Sequence, residues 1–544
     1  MTGLSLDDAK IDTSDQTLEG ALKRLLTTRS PVAFVPDGVA SIVERLQDAW
    51  RLVNVFGVAA DPALPAFLSR QFLDIAKKGV NDVAAATLGL NVHQPDGVSW
   101  RSKSIARAAR QGFATMLCPF SGEPRRVDHS LGRDWFFVGK DDEICLASDI
   151  GSVMVDVGLE SVWVFPGARL ILRINSSLDD EVILREVANL FFHILTCQNE
   201  VAAYLERPLD KDGDGVSVTD FPCPHMAHNL WNIQTAWFNV FEMVPPSRFK
   251  SIVNFRHQNF FGSLEELYPE AMSQAPAVVS VSSEKELFLH SLKTGGVMLC
   301  VKDEMFRPGF SAVLLKWARA QCSPEFLGEV AALRAACHPL VVTTIRLDNR
   351  EWIEQREGFP QLFSALHKDF PGIGFILDGL STDTAKGWTT GWMSMEAELG
   401  VARFIREQSP QDLPISFAVG RKFCEALVLC DAADCFIAPS GSGMALYKWI
   451  SNMPGLAFSN RAALERDNFQ HWPLRVWHAG RYRHDITPTV HLPPALVEDD
   501  ASKRDDVTRS NFHLDWRMLH REALQFLRES LSPPKETKIA DPGK

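Results

Sequence analysis

Between Ile415 and Asn460, three short apolar runs, ISFAV, CFIAP and GLAFS, alternate with two stretches of helical character, RKFCEALVLCDAAD and SGMALYKWISN. Each run is short enough for a buried strand and too short for a helix. Parallel strands need a crossover, and a helix is the usual one, so the alternation predicts a parallel sheet with crossover helices. At Pro439-Ser440-Gly441-Ser442-Gly443 the chain leaves a strand, turns on two glycines and opens a helix. Glycine permits φ > 0 and lets a ligand approach the backbone. A helix start offers free N–H groups and a partial positive charge, which suit an anion. The same residues also fit an ordinary strand-to-helix turn with Ser440 or Ser442 as N-cap. Both readings stay open.

The alternation extends upstream. VVTTIRLDNREW gives a strand leading to Arg346, EGFPQLFSALHKDFP a helix, IGFILDGL a strand and MSMEAELGVARFIREQ a helix. Strands are therefore expected near 341–346, 373–378, 415–419 and 434–438, in one mostly parallel sheet. An earlier block, RFKSIVNFR to GGVMLCVKDEMFRPGFSAVLLKWAR, alternates in the same way, and a linker is expected around Cys322–His338. Arg256, Lys302 and Arg307 follow expected strand ends and either line a cleft or sit on surface loops. From Thr17 to about Arg110 apolar residues recur at three- and four-residue spacing, which predicts helices. From Cys118 to Ser176 the runs WFFVG, EICLAS, SVMVDV, SVWVFP and RLILRI predict a small antiparallel sheet or meander. Residues 180–205 predict one long amphipathic helix holding His193 as a packed core residue, and 512–530 predict a final helix. Both termini are polar enough to stay disordered.

At 544 residues the chain suggests about three domains. Its net charge of −12 argues against a general polyanion binder, so no nucleic-acid partner is expected, yet one local basic pocket is allowed. Fourteen Trp and 34 Phe stand against four Tyr; such rings stack on sugars and bases, but mostly they fill cores. None of the ten Cys forms a CxxC pair, so buried free thiols are expected rather than a zinc ribbon. The acidic start has no apolar signal-peptide core, and no run of 18 apolar residues occurs. A cytoplasmic protein without a transmembrane segment is the expectation.

Two segments invite ligand readings. Asp210, Asp212, Asp214 and Gly215 match positions 1, 3, 5 and 6 of an EF-hand loop, but Phe221 stands where the bidentate Glu belongs. An exposed turn without metal is expected. In Pro222-Cys-Pro-His225-Met-Ala-His228-Asn229-Leu-Trp231-Asn232, the two His are three apart and share a face at the start of a helix, with both Asn close by. The pair lacks the i,i+4 spacing and acidic partner of helical zinc sites. It fits either a catalytic face or a capped helix with hydrogen-bonded His.

The layout of Cys223–His484, two successive α/β halves with the second beginning near residue 339, resembles the GT-B-fold nucleotide-sugar-dependent glycosyltransferases. The resemblance implies two facing Rossmann-like domains with an N-terminal helical extension and a small β-containing segment. It implies a helical region 1–115, a β-containing segment and acceptor-side α/β domain 116–330, a nucleotide-sugar domain 331–490, and a helix and tail 491–544. Sugar would pass from a nucleotide-sugar to a carbohydrate, glycolipid or protein hydroxyl, with no metal or other cofactor. Arg346, Arg421 after Gly420, and the Ser440–Gly443 turn would hold the diphosphate. The Glu that holds the ribose in many members has only Asp378 and Glu425 as candidates. His225, ahead of His228, would be the general base. A nucleotide-sugar epimerase of the same fold, or a non-catalytic binding protein retaining it, are the alternatives.

Overall fold

The computed structural model describes residues 17–530 apart from 29–35, 55–63, 65, 78–98, 128, 141–142, 150–160, 175–178, 208–214, 224–225, 256–259, 277, 304, 348, 383–394, 442, 466–485, 488 and 501–508. The chain divides into two compact units. Unit 1 holds residues 1–222, 236–256 and 270–304; unit 2 holds 223–235, 257–269 and 305–544.

In unit 1 the N-terminal text is helical over Leu18–Thr28, Val39–Ala49, Arg70–Lys77 and Trp100–Gln111. Two stretches expected as helix turn into strand. The helix Val39–Ala49 stops at extended Trp50, and β1 (Arg51–Asn54) follows. Gly112, at φ 80°, ends the helix Trp100–Gln111, and β2 (Ala114–Leu117) pairs antiparallel with β3 (Pro124–Val127). Next come β4 (Trp135–Lys140), β5 (Glu143–Asp149), β6 (Ser161–Phe165) and β7 (Leu170–Ile174), in the expected antiparallel meander. β1 joins its edge parallel to β7, giving the order β1-β7-β6-β5-β4. The run SVMVDV lies outside the described residues. Residues 180–205 form two helices, Asp180–Thr196 and Gln198–Leu205, because Cys197 leaves helical geometry at φ −120°, ψ 41°. The longer helix buries Ile183, Val187, Phe191 and Ile194 with Ile42, Leu46 and the sheet. Each such side chain contributes roughly 1.5–3 kcal/mol.

Unit 1 also carries β8 (Val216–Thr219), β9 (Ile252–Phe255), β10 (Val278–Val281) and β11 (Val297–Cys300). All pairs are parallel, in the order β10-β9-β8-β11. Residues 210–214 of the calcium-loop motif lie outside the described residues; Gly215, at φ 85°, leads into β8.

Unit 2 is built on β12 (Leu340–Thr344), β13 (Gly374–Asp378), β14 (Ile415–Phe417), β15 (Cys435–Pro439), β16 (Gly455–Phe458) and β17 (Thr489–His491). Every pair is parallel, in the order β14-β13-β12-β15-β16-β17. The four strands expected from the apolar runs are β12 to β15. β12, β13 and β15 are buried on both faces and read as near-continuous apolar runs, as parallel strands do, while the edge strand β14 is partly buried. The expected linker instead contains the helix Pro324–Ala336, capped by the Ser323 hydroxyl accepting from Phe326 N at 3.2 Å. The last helix starts later than expected. Asn511–His513 is β19, antiparallel to β18 (Glu498–Asp500), and the helix runs Trp516–Ser530 once the Asp515 carboxylate takes the Arg517 N–H. All ten cysteines are free, nine of them buried. Among the described residues no helix is long and apolar enough to cross a membrane.

Candidate functional site

The strand order of unit 2 reverses between β12 and β15. β13 and β14 follow β12 on one side, and β15 to β17 lie on the other. Chain leaving the carboxyl ends of β12 and β15 therefore diverges, and open α/β sheets form their ligand crevice at such a point. Arg346 follows β12, and Ser440–Gly443 follow β15. A methyl group added at Gly441 would overlap the Arg346 guanidinium, so the cation rests directly on the glycine backbone. Arg346 is held there. Its Nε donates to Asn349 O at 2.7 Å, its Nη2 to Asn349 Oδ1 at 2.6 Å, and its backbone N to buried Gln355 Oε1 at 3.1 Å.

Ser440 continues β15, donating its N–H to Phe458 O at 2.7 Å. Its hydroxyl is buried with no partner among the described residues. Ser442 lies outside the described residues. Past Gly443 comes a wide turn, Ala445–Ile450, in which Ser451 N donates to Leu446 O, five residues back, at 3.0 Å. Such π-type turns are rare and tend to occur at functional sites. So short an element has little macrodipole, and the cation placed against this turn is Arg346. Buried Lys448 secures the turn's far end, donating to Met453 O at 2.9 Å and to Thr487 O and Oγ1 at 2.7 Å.

A buried network lies under Gly443; sequence reasoning named Asp378 but missed its partners Tyr447 and Thr344. Tyr447 donates its hydroxyl to Asp378 at the end of β13, and Thr344 Oγ1 is 2.7 Å from the same hydroxyl. A Cβ at Gly443 would stand 3.5 Å from Asp378 Oδ2 and from Tyr447 Oη, and 3.6 Å from Thr344 Oγ1, so the turn sits directly on the network. The one available signal is a Tyr, from a chain with only four, inside an apolar stretch.

Burial raises the Asp378 carboxyl from 3.8 to about 6, against the opposing hydrogen bonds of Tyr447 and the Gly379 backbone. A raised acid binds more protons folded than unfolded, so its contribution to stability falls as pH rises from about 4 to about 6. Asp220, beyond β8 in unit 1, is raised by burial to about 7 and acts with the same sign. Asp378→Asn keeps an acceptor for Tyr447 and removes the titration. We expect it to be more stable than wild type at pH 7, by roughly 2–3 kcal/mol, with the gap closing toward pH 4. Melting curves of both proteins across that range check this; a constant offset at every pH contradicts it.

The other expected residues separate. The Arg421 Nε donates to Phe417 O at 2.7 Å, and its guanidinium stacks on Phe326 at 4.9 Å. It follows β14, two strands from β12, so the structure does not bring it to Arg346. Glu425 is half-buried on the helix Phe423–Asp431, while Asp378 belongs to the crevice network. His225 and Arg256 lie outside the described residues. Lys302 is half-buried beyond β11, and Arg307 stands at the N-cap of the helix Pro308–Ala320.

His228, half-buried, belongs to unit 2. It precedes a second wide turn, Asn229–Gln234, where Gln234 Nε2 donates to Asn229 Oδ1 at 3.1 Å. Its Nδ1 is 3.4 Å from Asn232 Oδ1, and its ring is near-parallel to Trp231 at 5.9 Å. Burial pushes this imidazole below its usual value, with Asn232 opposing, so it is neutral at pH 7. Trp231 in turn packs on Trp449 at 5.4 Å, which ties the two wide turns together. Two surface depressions of unit 2, about 550 and 620 Å³, are lined by neither Arg346, Asp378 nor Gly441.

No family model and no curated protein matches this chain. Among solved structures it is similar to an alpha,alpha-trehalose-phosphate synthase (UDP-forming) from Burkholderia vietnamiensis. The two share 12% sequence identity and a TM-score of 0.25, over 66% of this chain and 82% of that one. At that TM-score the likeness adds nothing to the crevice geometry.

Proposed function

We propose that the C-terminal unit binds the diphosphate of a nucleotide-sugar and that the chain transfers the sugar to an acceptor hydroxyl on a carbohydrate, glycolipid or protein. One observation carries the reading: Arg346 lies on Gly441 at the carboxyl ends of β12 and β15, where the strand order reverses. Open parallel sheets bind their ligands at such a point. A fixed cation beside glycine backbone answers the charge that grows on a departing diphosphate, as an oxyanion site does, and this role needs no metal ion. The reading takes the two parallel sheets as the acceptor and donor halves of a GT-B-like enzyme. His225 is its proposed base. His228, through Trp231 and Trp449, supports the turn beside the donor.

Thermal shift against a panel of nucleoside diphosphates tests the binding, since a ligand that binds only the native state stabilises it. Mass spectrometry of nucleotide-sugar hydrolysis tests the chemistry. Stabilisation without hydrolysis or transfer would make the chain a binding protein. No stabilisation by any nucleoside diphosphate would end the proposal. Gly441→Ala is a sharper probe, because its methyl displaces Arg346 without adding charge or polarity. It should weaken nucleoside diphosphate binding about tenfold or more while the chain stays folded. Unchanged affinity would show that the phosphates bind elsewhere.

A further inference from the structure

The Asp378 carboxyl group is sealed beneath the turn that the proposed function assigns to the diphosphate. It ends β13 and is 3% exposed. The place of a Cβ on Gly443 is 3.5 Å from Asp378 Oδ2, so the carboxyl group lies in contact range of the turn itself. Asp378 cannot touch a ligand in the crevice, but its charge acts there. Solvent ions screen a buried charge poorly. Repulsion between unit charges several ångströms apart is worth about tenfold or more in an equilibrium constant, even at an effective dielectric near 20.

Among the described residues Asp378 has no cation partner. Its hydrogen bonds come from the Tyr447 hydroxyl and the Gly379 N–H, both neutral donors. Arg346 is bonded to Asn349 instead. Thr344 brings only a hydroxyl, 2.7 Å from Tyr447 Oη. Tyr447 on the wide turn and Cys430 on the helix Phe423–Asp431 are both raised well above their usual values, by burial first and then by the Asp378 charge, so both stay protonated at neutral pH. Asp431, beside Cys430, is paired with Arg319 at 3.0 Å. Glu398, from the helix Met395–Gln408, is buried beside Gly379, and its Oε2 accepts from Leu380 N at 2.6 Å. It is a second acid, so the surroundings of Asp378 offer no positive charge.

In the free protein, burial places the Asp378 carboxyl at about 6. An anion on the turn favours the neutral acid, so binding raises that value further and takes up a proton. We propose that a nucleotide-sugar binds at the Gly441–Gly443 turn together with a proton on Asp378. The inference rests on the proposed diphosphate site and adds a pH dependence to it. Donor binding tightens as pH falls, through a residue that never contacts the donor.

The terminal phosphate of a nucleoside diphosphate itself titrates near pH 6, so the probes are UDP-glucose, ADP-glucose and GDP-mannose, whose phosphate diesters stay ionised from about pH 5 to 8. Calorimetric titration of the full chain should show the affinity of the tightest probe rising about tenfold from pH 8 to pH 5. Proton uptake should appear near pH 6.5, read from two buffers of different ionisation enthalpy. Asp378→Asn keeps an acceptor for Tyr447 and carries no charge. It should bind about tenfold more tightly than wild type at pH 8 and show no rise toward pH 5. A merely structural Asp378 would lose affinity in that variant instead. Tyr447→Phe withdraws the hydroxyl that favours the carboxylate, so its rise should be centred at higher pH than in wild type. That variant decides the matter if Asp378→Asn does not fold. A flat wild-type profile, a rise that persists in Asp378→Asn, or an unmoved rise in Tyr447→Phe overturns the coupling and leaves the diphosphate site standing. No binding of any probe by the folded chain at any pH overturns the diphosphate site and the coupling with it.

Discussion

Trp352→Ala is expected to destabilise unit 2 by about 3–5 kcal/mol, the usual cost of removing a buried tryptophan. The indole is fully buried, packed edge-on to Phe359 at 5.0 Å and Phe458 at 6.0 Å. Its Nε1 donates to Leu514 O at 2.9 Å, which ties the loop after β12 to the chain entering the last helix. The site's geometry depends on this packing. Gln355, three residues on, is the residue that takes the Arg346 N–H. Gly358 leaves room for the indole, and a methyl there would overlap it. Trp352→Phe should lose much less than Trp352→Ala, because it keeps most of the apolar volume. Urea unfolding of the three proteins measures the difference; a loss below about 1 kcal/mol in Trp352→Ala would contradict this account of the loop.

Arg346→Ala is expected to weaken nucleoside diphosphate binding about 10- to 150-fold, through loss of a charge-assisted contact worth roughly 1.5–3 kcal/mol. Its fold should be little affected, because its bonds to Asn349 lie within its own loop. Arg346→Lys should recover only part of the affinity. A flexible ammonium cannot both hold Asn349 and lie flat on Gly441, as the planar guanidinium does. Calorimetric titration of the three proteins decides it. Equal affinities would remove Arg346 from the site.

Local chemistry makes much of unit 2 legible in the sequence. Short β-branched and aromatic runs bounded by helical text correspond to β12 to β16, and the turn at 440–443 and Arg346 both stand out as loop residues at strand ends. Their meeting does not, since it depends on the strand order, and order is a tertiary property. The wide turns at 229–234 and 445–450 are also hidden. A one-residue widening leaves the apolar pattern nearly unchanged, yet it brings Gln234 onto Asn229 and seats Tyr447 at Asp378. β1 and β19 fall where periodicity predicts helix, because each continues a helical pattern beside it for only three or four residues. The helix Pro324–Ala336 shows the opposite error: Ser323-Pro324-Glu325 is a plain start signal that the expectation of a linker overrides. Arg421 stands at a strand end as Arg346 does, but the strand order sets β14 two strands from β12, and Phe326 takes its guanidinium.

The most direct test of the central claim is a crystal structure of the full chain with a bound nucleoside diphosphate. The account predicts the diphosphate within hydrogen-bond distance of Arg346 and of the Gly441–Gly443 backbone, at the carboxyl ends of β12 and β15. A nucleotide bound elsewhere on the chain, with that crevice filled only by solvent, would contradict it.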